Sequence, residues 1–285
     1  MGRAPWPRVA PPGHPYPETS GETTTRLRPV KARRRGRTAA AAVCLVLGLG
    51  LIGGAVTGTV MSGKPQAEPA TASTSAYSAA RSAWHSVPVD TLFPRTLKGD
   101  GAGPGATDRI WTRVAVAPDS DCAEGLDPLL LKTLRPVGCE RMVRATYTDA
   151  TRSSVITVGL VFTEADAAAM RALSTRFTGQ HLGERADLMP RTYPAEGTAA
   201  AGFGKRQRAS WTVRVLTEIP VVVVAVSGFA DGRTVGDPQP VADATAEDAT
   251  TAVALAGLGH EASGVADRVE RTLRRTVTDL TEKPE

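Results

Sequence analysis

Apolar and polar positions along this chain follow two different periods, and the switches between them predict an order of elements. Residues 109–116 alternate Ile110, Thr112, Val114 and Val116 against Trp111, Arg113 and Ala115, a strand pattern. Residues 140–148 and 153–162 are separated by a short DATR turn and predict a hairpin, its second strand apolar in both phases and so buried on both faces. Residues 209–217 and 219–229 predict a second hairpin turning near Glu218. Between the strands, Asp127-Pro128 has the N-cap and first-turn chemistry of a short helix that closes before Pro136. Thr163-x-x-Asp166 predicts a capping box ahead of an Ala-rich helix ending near Phe177. Helical sequence resumes near Thr245, and Val265, Val269, Leu273, Val277 and Leu280 fall on nearly one face. The order β-α-β-β-α-β-β-α predicts an α+β domain over residues 84–285, with a mostly antiparallel sheet of about five strands and helices on one face.

The pattern before residue 84 is different. Residues 38–61 carry no charge, and at about 1.5 Å per residue a helix of this length spans roughly 36 Å, enough to cross a bilayer. Arg33, Arg34, Arg35 and Arg37 lie directly before it, which predicts a cytoplasmic N-terminus and an external C-terminal domain. A cleaved signal peptide, with Ala70-Thr71-Ala72 as its cleavage site, is the competing reading. The apolar stretch exceeds the usual signal core, and a long tail precedes it, so an uncleaved single-pass anchor is preferred. Gly50, Gly54 and Gly58 recur every fourth residue, a spacing that suits close helix pairing with a partner or in a homodimer, although Gly is abundant throughout. Residues 1–37 are rich in Pro and Arg without aliphatic periodicity and are expected to be a disordered cytoplasmic tail. Residues 62–83 are rich in Ala, Thr, Ser and Pro and read as a linker.

Charge sharpens this picture. The chain carries a formal +5, but the first 37 residues hold nine Lys/Arg against two Glu, so the rest is net negative. An excess confined to the flank of an apolar segment suits a membrane protein and argues against nucleic acid as a partner. Cys122 and Cys139 lie in the part placed outside, where a disulfide is expected. No cofactor or metal is implied: His260-Glu261 lacks the second His of a zinc-protease helix, and Gly202-Phe203-Gly204-Lys205 lacks the first Gly and the Ser/Thr of a phosphate loop. No Lys follows Ser at the spacing of an acyl-enzyme, and no G-x-S-x-G occurs. One constellation remains. Arg113, Arg144 and Arg214 occupy polar phases of three strands, with Trp111 beside Arg113, and on a shared open face they would clamp phosphate or carboxylate groups. An ordinary solvated sheet face contains the same residues, and that reading is preferred.

The Pro/Arg tail, the Ala/Gly anchor and an external region containing GCERMVRATYTD followed by VITVGLVFTEADAAA resemble the single-pass membrane proteins of Streptomyces-type actinobacteria that carry a two-Cys extracytoplasmic domain. Arg supplies 28 of the 34 basic residues and Asn is absent, as GC-rich coding produces. The resemblance implies an envelope-facing binding or accessory role and transfers no catalytic residue. The expected function is a non-enzymatic interaction or sensory domain tethered outside the cell membrane. The alternatives are a domain that binds a lipid or anionic envelope polymer, and an unrecognised hydrolase.

Overall fold

The computed structural model describes residues 69–282, with side chains from Thr74 onward. The tail 1–37, the apolar segment 38–61 and Gly50, Gly54 and Gly58 lie outside the described residues. Among the described residues no helix is long and apolar enough to cross a membrane.

Five central strands form where the alternation placed them: β2 (Arg109–Val116), β3 (Arg141–Asp149), β4 (Ser154–Phe162), β5 (Ser210–Val215) and β6 (Val221–Phe229). Two short edge strands, β1 (Thr96–Gly99) and β7 (Gln239–Pro240), extend the sheet to seven in the order β1-β2-β3-β4-β6-β5-β7. All neighbours are antiparallel except β5 and β7. The edge strands escape periodicity because four and two residues are too few to display it.

Helices cover both faces of the sheet, which corrects the one-face expectation. Against one face lie α1 (Pro69–Ser86) and α4 (Leu258–Glu282), where Val265, Val269, Leu273 and Val277 pack on Tyr147, Val158, Leu160 and Val223. Each of these fully buried aliphatic side chains contributes about 1.5–3 kcal/mol relative to exposure. Leu280 continues the stripe past the core and is exposed. Against the other face lie α2 (Pro128–Leu134) and α3 (Ala167–Gly179), with Leu130, Leu134, Met170 and Phe177 on Met142, Val161, Val222 and Val224. The central strands required this arrangement: every residue of β4 is buried, so each phase of its apolar run needs its own cover.

Helix α1 occupies much of the stretch read as a linker. Its Tyr77, Ala80 and Ala83 are buried, and the Tyr77 hydroxyl donates to the Thr217 carbonyl at 2.7 Å. The folded domain therefore includes α1 and does not start at Trp84. The cap of α3 also differs from expectation. Asp166 is the N-cap and accepts from the Ala169 amide at 2.8 Å, while the Thr163 hydroxyl donates to the Pro220 carbonyl at 3.0 Å.

Candidate functional site

The four residues expected to share an open face do not meet. Trp111 and Arg113 project from β2 toward the α4 side, as does Arg214 from β5, whereas Arg144 projects from β3 to the opposite face. The register explains this: Arg113 pairs with Tyr147 and Arg214 with Val223, both in the α4-side core, while Arg144 pairs with Gly159. Arg113 and Arg214 are also four strand spacings apart, about 19 Å.

Each is engaged internally. Trp111 is fully buried, and its indole N–H donates to Glu261. Arg113 donates to the Phe93 carbonyl and to Asp90. Arg214 reaches Asp267 and, at 2.9 Å, the Ser263 hydroxyl on α4. Arg144 is 8% exposed and stacks over the Tyr193 ring at 5.5 Å, and burial lowers its pKa from the ordinary arginine value. The proposed anion clamp on Trp111, Arg113, Arg144 and Arg214 is thereby overturned.

Cys122 and Cys139 lie at disulfide distance, their Cα atoms 6.3 Å apart. The pair joins the single-turn helix Cys122–Gly125 to the residues entering β3, and so fixes the chain on either side of α2.

Beside α2 opens a hollow of about 810 Å³, within the size range of small-molecule sites. Asp127 lines it together with Asp187, Arg191, Lys205 and Arg208. The Asp-Pro pair begins the helix as expected, yet the Asp127 carboxylate makes no capping bond. It accepts from Arg191 Nε at 2.9 Å and from Arg208 at 2.7 Å. Burial alone would raise the Asp127 pKa, but the hydrogen bonds from both guanidinium groups outweigh it and hold the carboxyl below its ordinary range. Arg208 also donates to the carbonyls of Met189 and Pro190, each at 3.2 Å. The next residues are fastened to the sheet itself, since Thr146 donates to the Tyr193 carbonyl at 2.8 Å and Thr157 accepts from the Tyr193 amide at 3.0 Å. The walls are thus preset, with Leu129 and Pro194 giving apolar surface and Lys205 a cation.

Two further clusters carry chemistry. In a shallow groove of about 330 Å³ beside β5, His181 Nδ1 lies 3.2 Å from Glu184, and Ser174 lines the same groove. The His181 and Glu184 side chains are 74% and 55% exposed, and no hydrogen bond joins Ser174 to His181. A nucleophile needs a base within hydrogen-bond reach, which this arrangement lacks. On the α4 side, Glu261 is 4% exposed and receives the Trp111 indole N–H, with Arg109 at 3.2 Å. Burial raises the Glu261 pKa, a shift that the Trp111 hydrogen bond and Arg109 oppose. The indole packs against two glycines, Gly99 of β1 and Gly264 of α4, where any Cβ would collide with the ring. This cluster seals β2 to α4.

Sequence patterning missed Asp127, Arg191 and Arg208 as a unit, because Asp-Pro signals only a helix start and the two arginines lie in a loop without periodicity. Among the described residues no group of three or more His, Cys, Asp or Glu could hold a metal ion. No protein family, curated protein or solved structure matches the chain.

Proposed function

We propose that this chain is a single-pass membrane protein, anchored by residues 38–61 with its N-terminus in the cytoplasm, whose external domain works by binding and not by turnover. The use of Asp127 carries this reading. It is a carboxylate lining the hollow beside α2, and both its oxygens are engaged by arginines that also fasten the surrounding loop. A carboxylate so held, with its pKa lowered, is a poor proton acceptor at neutral pH and a good structural tie. The hollow is then a preformed recognition surface, its shape set in advance and its ordering cost already met by folding. The disulfide-distance cysteines support placement in an oxidising compartment.

A serine-directed fluorophosphonate probe applied to the purified full chain separates binding from hydrolysis. The expected result is no labelling above that of the Ser174→Ala variant. Labelling of Ser174 that this variant abolishes would replace the binding reading with a hydrolase centred on Ser174, His181 and Glu184.

A further inference from the structure

A second concave site lies on the α4 side, where edge strand β1 meets the outer flank of α4. It is a cleft of about 410 Å³ lined by four cations, Lys98, Arg268, Arg271 and Arg275, against one carboxylate, Asp100. Most other arginines lining a concavity are spent on carboxylates: Arg191 and Arg208 share Asp127, and Arg233 is paired with Asp231. None of these four cations has an ion pair among the described residues.

Their arrangement is orderly. Arg268, Arg271 and Arg275 follow one stripe of α4 at three- and four-residue spacing, covering about 10 Å along the axis. Arg268 donates to the carbonyls of Lys98 and Asp100 at 3.0 and 3.1 Å, which ties the edge strand to the helix and sets the cleft width. Arg271 and Arg275 each use only Nε, on carbonyls of their own helix at 3.1 and 3.3 Å. Their terminal nitrogens make no hydrogen bond among the described residues, leaving two planar donor forks beside the Lys98 ammonium. Burial lowers the Arg268 pKa and the like charge of Arg271 adds to that shift, because like charges held close repel. An anion seated in the cleft relieves that repulsion and takes the free donors in bidentate form.

We propose that this β1–α4 cleft binds the phosphate of anionic lipid headgroups. The chemistry is phosphate recognition by guanidinium forks and an ammonium group. The lipid source follows from the sequence, and this clause rests on the membrane-anchored reading: only residues 62–68 separate the apolar run from α1, at most about 25 Å of extended chain. A domain so tethered works beside a bilayer surface, where each basic residue adds to the attraction of anionic lipid.

The test uses the full chain purified in a neutral detergent and titrated calorimetrically with dihexanoyl phosphatidylglycerol, dihexanoyl phosphatidylcholine and glycerol phosphate. Saturable binding of the phosphatidylglycerol is expected, weakening as salt rises. The triple variant Lys98→Gln, Arg271→Gln, Arg275→Gln should bind at least about tenfold more weakly. A charge-matched control, Lys132→Gln, Arg135→Gln, Arg152→Gln, should bind as the parent does. All six positions are exposed, so both variants should keep the parental melting midpoint, and Arg271→Gln alone repeats the comparison with a single change. Equal affinity for phosphatidylcholine, or unchanged affinity in the cleft variant, would overturn the proposal. Glycerol phosphate binding as tightly as the lipid would overturn the lipid assignment and leave a free-phosphate site. Because the titration does not depend on sidedness, a failed topology experiment and a failed cleft remain distinguishable.

Discussion

Gly264 shows how a single atom decides packing at the residue scale. In the interior of α4, Ala would ordinarily stabilise the helix by about 1 kcal/mol over Gly. Here an added Cβ would sit 2.5 Å from the buried Trp111 ring, against which Gly99 also packs closely. Overpacking of this kind costs about 1–3 kcal/mol, so Gly264→Ala should lower the urea midpoint in spite of the better helix former. An unchanged or higher midpoint would show that the ring has room to move. Glu261, bonded to the same indole, gives a second prediction. Its folded pKa is raised by burial, so the folded state holds the proton more tightly than the unfolded state does. The associated stability is complete below the unfolded value near 4.5 and is lost as pH rises through the higher folded value. Glu261→Gln keeps an acceptor for Trp111 but cannot titrate, and should flatten that part of the stability–pH profile. A variant profile that falls as steeply as the parent's would assign the dependence to another group.

At the scale of elements, α1 is the helix whose composition conceals it. Ala80 and Ala83 are fully buried against the core shared with α4, and such small side chains let the two helices approach closely. Ala83→Leu should therefore destabilise the domain by about 1–3 kcal/mol through overpacking. A linker residue would tolerate the change within about 0.5 kcal/mol, so denaturant unfolding distinguishes the two outcomes. The Cys122–Cys139 pair makes a parallel case. The two positions are 17 apart in sequence, and closing a loop of that length stabilises a fold by about 3 kcal/mol in chain-entropy terms. Reductant should lower the unfolding midpoint accordingly. Thiol labelling without reductant should find neither cysteine free, and labelling of both would refute the bond.

For the molecule as a whole, the two concave sites occupy different faces of one sheet. The Asp127 hollow lies with α2 and the loop 186–194, and the cationic cleft lies with α4 and β1. Under the proposed binding function, sites on opposite faces would let the domain engage a bilayer lipid and a separate ligand at once. The proposed topology places both sites outside the membrane. Protease added to intact protoplasts should remove the chain after Lys64 and spare the first 37 residues. A protected C-terminal domain would reverse the proposed topology.

What the sequence determined by itself was the set of local decisions. The bounds of β2 to β6, the start of α2 at Asp-Pro and the buried stripe of α4 were legible because each is written in the spacing of apolar side chains within one segment. What tertiary structure decided was every relation between segments. Alternation gives the phase of a strand, but the pairing register decides which phases share a face, and a bulge between Arg113 and Ala115 shifts that register within β2. Thus three arginines of the same polar phase were dispersed to two faces. The carboxylate of Asp127 was free to cap a helix, yet two charged donors from a distant loop outcompete a neighbouring amide. The stripe Arg268, Arg271 and Arg275 could be read along α4, but its meaning as a cleft depends on β1, a four-residue edge strand that only pairing with β2 brings beside it. Helix α1 is the extreme case: its sequence lacks a strong apolar face, and burial of small side chains against α4 supplies the free energy that composition alone did not foretell.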